Sequence, residues 1–183
     1  MNFFERWAGL LGAAFVLLLM FGFWYALFGG EDLEARDNRG RTPLIIAAEE
    51  GDARQVDHLL ARGVQFEALD DCGWSAMMRA AASGHEASVQ TLLQRGAAIN
   101  RRDKAGYTAV LAAVINNRPD VLAVLIEHGA DLDVQEQDLG NSALMWAVRE
   151  DYAVLQQMLL AAGANPNLIN KAGEQAADIT PRK

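Results

Sequence analysis

The chain has 183 residues, with 16 Lys+Arg against 24 Asp+Glu and a formal net charge of −8. That balance excludes general nucleic-acid binding, where a basic patch would neutralise phosphates. A single cysteine excludes an intramolecular disulfide and a cysteine-built zinc site.

Residues 7–30 carry no charge. Ala8 to Phe28 as a helix is 21 residues, about 31 Å at 1.5 Å per residue, which matches a hydrocarbon core of about 30 Å. Trp7 lies at one end, with Trp24 and Tyr25 near the other, where amphipathic rings settle at headgroup level. Gly29–Gly30 ends the run. A cleavable signal peptide has a shorter apolar region followed by small residues. Here Ala26 is followed by Leu27 and Phe28, both poor before a cut. Residues 1–30 are therefore read as an uncleaved transmembrane signal anchor, and 31–36 as a short acidic linker. The positive charge nearest the anchor is Arg6, which predicts a cytoplasmic N-terminus and an exported C-terminal domain. The expected location is the inner (cell) membrane, single-pass, with the domain periplasmic in a bacterium.

From residue 37 the chain repeats itself. Gly40, Gly73, Gly106, Gly140 and Gly173 are spaced by 33, 33, 34 and 33 residues. Two residues after the first four stand Thr42, Ser75, Thr108 and Ser142, good N-caps because a hydroxyl accepts from the free amides of a helix start. Five further on come Ala47, Ala80, Ala113 and Ala147, small enough for close helix packing. The apolar pairs Leu59–Leu60, Leu92–Leu93, Leu125–Ile126 and Leu159–Leu160 are each followed by a glycine: Gly63, Gly96, Gly129 and Gly163. These glycines sit where a left-handed helix C-cap is wanted. Pro119 falls in the first turn of a second helix, where its missing N–H costs nothing.

This register resembles the ankyrin repeat, with its D-x-x-G-x-T-P-L opening and L-L-x-x-G-A ending. The segment from Asp37 to Leu44 fits the opening closely. The resemblance implies an all-α solenoid, which here follows the one N-terminal transmembrane helix read from the apolar run. The domain would span 37–183, with repeats at about 37–69, 70–102, 103–136 and 137–169 and a truncated cap at 170–183. No unit of this kind buries its own apolar face, so several must stack. One residue is inserted near Gln137–Asp138, and Asp151 stands where the glycine between the two helices is expected.

No catalytic constellation is present. His85 and His128 occupy positions where the repeat pattern often has histidine, and His58 reads as a helix-surface residue. Cys72, beside Gly73, reads as a turn residue; a redox role would need a lowered thiol pKa. No catalytic residue, metal ligand or cofactor site is expected. What remains is recognition. In ankyrin proteins the variable contact positions flank the finger glycine and end the first helix. Carried over residue by residue, the finger set is Asn38, Arg39, Arg41, Asp71, Cys72, Trp74, Lys104, Tyr107, Asp138, Leu139 and Asn141. The helix-end set is Glu49, Glu50, Ser83, Asn116, Arg149 and Glu150. Trp74 and Tyr107 each follow a repeat glycine, so they belong to adjacent fingers. Trp146 reads as inter-repeat core, and Arg79 as a residue that needs a partner if buried.

The expected function is a non-enzymatic, membrane-anchored module that binds a protein partner through its concave face and finger tips, with a monomeric domain. The layout is similar to small bacterial ankyrin proteins with an N-terminal anchor, some of them linked to peroxide defence. That resemblance implies a scaffold or protector of an exported enzyme such as a catalase. The alternative is an inhibitor or immunity protein that caps the active site of a toxin or hydrolase.

Overall fold

The structure, a computed structural model, describes residues 32–182. The anchor expected over residues 1–30 lies outside them. Among the described residues no helix is long and apolar enough to cross a membrane. The chain divides into two units, Met1–Leu33 and Glu34–Lys183.

The second unit carries four helix pairs: α1 (Pro43–Glu50) with α2 (Ala53–Ala61), α3 (Ala76–Ser83) with α4 (Glu86–Gln94), α5 (Ala109–Ile115) with α6 (Pro119–Glu127), and α7 (Ala143–Arg149) with α8 (Ala153–Ala161). A single 3₁₀ turn, Ala176–Asp178, follows as the truncated fifth unit and packs on α7. Among the described residues there is no strand, and the projecting fingers are turns. First helices stack on first helices and second on second, which makes two layers.

Each first helix starts where the hydroxyls predicted. Thr42, Ser75, Thr108 and Ser142 accept from the N–H groups of Ile45, Met78, Leu111 and Met145 at 3.3–3.4 Å. Each helix pair closes through one left-handed residue: Gly51, Gly84, Asn117 and Asp151, at φ of 81°, 86°, 51° and 57°. The first two also need glycine for space, since a Cβ on Gly51 would lie 2.5 Å from the His85 ring. This is how His85 is used. His128 instead places Nδ1 2.9 Å from the Val124 carbonyl, and His58 is exposed on α2.

The core lies between and within the layers. Leu59, Leu92, Leu125 and Leu159 are buried at the same position of each second helix. Ala47, Ala80, Ala113 and Ala147 are buried in the first helices, where larger side chains would hold the layers apart. Each buried leucine contributes roughly 1.5–3 kcal/mol.

Candidate interaction surface

Each finger is built on one acceptor side chain. Asp37 Oδ1 accepts from the N–H groups of Arg39 and Arg41, both at 2.9 Å. Asp70 accepts from Cys72 and Trp74, Asp103 from Ala105 and Tyr107, and Asn170 from Ala172 and Glu174. The fourth finger departs, because three residues rather than two stand between its acid and its glycine. There the acid is Glu136, 2% exposed, which accepts from Asp138, Leu139 and Asn141. Gln137 N–H donates to Ala105 O and Lys171 N–H donates to Leu139 O, so the inserted residue is Asp138. The longer acid reaches across the longer turn.

A second row of side chains ties each repeat to the next. Glu34 accepts from Gln65 N–H, Glu67 from Ala98, Asn100 from Asp131 and Asp133 from Asn165, at 2.8–3.1 Å. Arg36 donates to the carbonyls of Gly40 and Leu69. Glu34 and Arg36, expected in the linker, thus hydrogen-bond to repeat one.

At the first two repeats the inner face is a closed charge network. Arg41 pairs with Asp37 at 2.6 Å and with Glu49. Arg79 binds Asp70, whose side chain is fully buried, through Nε at 2.7 Å and a second nitrogen at 2.5 Å. Arg79 also stands 3.7 Å from Glu49 and 4.9 Å from the Trp74 ring centroid. Asp70 is therefore the partner that half-buried Arg79 needs. Both nitrogens meet the same oxygen, Asp70 Oδ2, and charge-assisted bonds of this kind are the strong ones. The Arg41 hydrogen bond, first among several, holds the Asp37 carboxyl down at about 2.

The anticipated contact residues divide accordingly. Arg39, Glu50, Asp71, Lys104 and Asn116 are exposed. Asn116 Nδ2 turns back to Ala112 O at 2.8 Å. Arg41, Glu49 and Ser83 are half-buried, with the first two committed to the network. Trp74 and Tyr107 are half-buried on adjacent fingers. Trp74 Nε1 donates to Asp103 Oδ2 at 3.1 Å, so one edge of its ring is fixed to the neighbouring finger. Burial raises the Tyr107 phenol above its ordinary range, and Glu136, Asp138 and Asp103 add to the shift.

Asn141 requires a correction. It was expected on the finger strip, yet it is fully buried and its Oδ1 accepts from Asn170 Nδ2 at 3.0 Å. The chain turns inward after Gly140, where Asn141 N–H meets Glu136. Trp146 is half-buried rather than core, with Arg149 over its ring at 5.6 Å. Glu150 pairs with Arg182 at 2.9 Å. Cys72 is exposed. Among the described residues no group of His, Cys, Asp and Glu side chains is arranged to hold a metal ion.

A family model described as ankyrin repeats (3 copies) matches residues 15–103 and 99–170. Comparison with curated proteins gives no match.

Proposed function

Because this chain belongs to the ankyrin repeat family, we propose that it is a membrane-anchored module that holds a protein partner against its inner face and finger tips. One observation carries this reading. The capping hydroxyls, turn acids and left-handed residues recur in every repeat, while the residue after the finger glycine changes from Arg41 to Trp74 to Tyr107 to Asn141. A repeating frame with a varied surface is a recognition surface. Tyr and Trp are favoured anchors there.

The uncharged stretch 7–30 supports the anchor, and the first outer helix adds to that support. Gly30 stands 33 residues before Gly63, so the apolar segment ends in register with the repeats. It could therefore serve as one more outer helix of the stack. Against that, α2 presents exposed Gln55 and His58 at the positions that repeat three fills with buried Val121 and Val124. In repeat four the same positions hold Leu155 and Met158. A polar side does not call for an apolar helix to cover it, which favours the bilayer as its solvent.

On this reading the N-terminus is cytoplasmic, the domain is periplasmic and monomeric, and no residue is catalytic. The partner class the layout favours is an exported enzyme, such as a catalase in peroxide defence. An inhibitor that caps a toxin or hydrolase would differ by tight one-to-one binding. The test is cross-linking of tagged full-length protein in its own cells, with mass spectrometry of what is captured. One dominant partner, lost in Trp74→Ala/Tyr107→Ala, is expected; no specific partner from abundant, folded protein refutes the module. Cys72, exposed and the only thiol, reports orientation. It should react with a membrane-impermeant maleimide when the inner membrane is intact. Protection until that membrane is broken would place the domain inside.

A further inference from the structure

The two ends of the inner face handle charge differently. In repeats one and two Glu49 is engaged by Arg39, Arg41 and Arg79. In repeat four the equivalent of Glu49 is Arg149, and the equivalent of Arg79 is Trp146. Arg149 has no carboxylate partner among the described residues; its guanidinium lies over the Trp146 ring. The neighbouring acid, Glu150, is occupied by Arg182. Arg149 therefore presents a cation without a carboxylate partner, set over an aromatic ring and suited to a bidentate acceptor.

Arg149 borders an open cleft of about 340 Å³ between the last two fingers, lined also by Leu139, Lys171 and Ala172. Leu139 is 42% exposed, one of few large apolar side chains left open on this domain. The Lys171 ammonium donates to Gln137 O. Two acids share the rim, Glu174, which accepts from Asn170 Nδ2 at 3.0 Å, and Asp138.

We infer that this cleft receives an extended segment of the partner that carries one carboxylate beside an apolar side chain. The carboxylate meets Arg149 and the apolar group covers Leu139. Asp138 and Glu174 repel a run of acids, so the cleft selects a lone acid in an apolar context. The inference rests on the interaction-module reading and adds the location and chemistry of contact. The acidic domain thus offers its partner a local cation.

Full-length protein in detergent micelles, immobilised, would be used to select from a displayed library of short random peptides. The enriched peptides should pair one Asp or Glu with Leu, Ile or Phe within a few positions. Arg149→Glu should weaken them at least about tenfold, and selection on that variant should enrich Lys or Arg instead. Arg149→Lys should keep part of the binding. Circular dichroism checks that Arg149→Glu is folded. Enriched peptides without an acid, or unaffected by Arg149→Glu, overturn the inference. If binding depends instead on Trp74 and Tyr107, the cleft is refuted and the module stands. No enrichment also refutes the cleft, and cross-linking in cells then decides the module separately.

Discussion

The fourth finger offers the sharpest test of how side-chain length sets turn length. Glu136 spans a turn one residue longer than the others and accepts from Asp138, Leu139 and Asn141 at 2.5, 3.0 and 2.9 Å. Glu136→Asp withdraws the carboxylate by one methylene, roughly 1.5 Å, beyond the distance at which two of these bonds survive. Hydrogen bonds to a charged acceptor contribute about 1.5–3 kcal/mol each. After local relaxation the expected loss is about 2–4 kcal/mol. Deleting Asp138 alone leaves a long acid in a short turn and should cost about 1–3 kcal/mol by the same reasoning. The two changes together restore the Asp103-to-Gly106 spacing of the third finger. The double variant should therefore lie within about 1 kcal/mol of the parent, a strong coupling between neighbours. Melting of the full chain in detergent, followed by circular dichroism, gives the global effect. Amide exchange at Asn141 gives the local one, which matters because repeats can open separately. Additive losses in the double variant would refute the length-matching argument.

Asn117→Gly and Asp151→Gly should each raise stability by about 0.5 kcal/mol, because left-handed strain outweighs the added chain entropy; an unchanged or lower melting point in both would count against this. Leu125→Ala should cost about 2–5 kcal/mol from the cavity it leaves in the outer layer, and a loss under 1 kcal/mol in a urea melt would show that the site collapses. The Asp37 carboxyl, at about 2 in the fold against an ordinary 3.8, stabilises the first finger above about pH 4. That contribution is lost as pH falls through about 2. An NMR titration of Asp37 with its midpoint near 3.8 would contradict it.

The repeat frame was legible because its chemistry is local. A hydroxyl before a helix, a glycine after one and an alanine between two helices act within a few residues of themselves, so spacing reveals them. Asp151, standing where a glycine is expected, takes the left-handed conformation for the same reason. What escaped was pairing across repeats. Glu49 reads as a free helix-end acid until Arg79 arrives from the next unit, 30 residues on. Asn141 shares its register position with Arg41, Trp74 and Tyr107, yet only the longer fourth turn shows that it is buried. One signal was available and unused. Glu34, Glu67, Asn100 and Asp133 recur every 33 residues, and an acceptor repeated at that period marks a bond between neighbours.

Those ties join each unit only to the adjacent one, so the stack is a zipper with two ends. Its C-terminal end is the looser. Leu160 is 50% exposed where Leu60 is 6%, and only one 3₁₀ turn follows α8. Thermal fraying should start there and advance inward one unit at a time. A partner seated between the last two fingers would act as a clasp on the row of teeth that parts first. Its grip would then register as slower unravelling along the whole domain, including repeats it never touches.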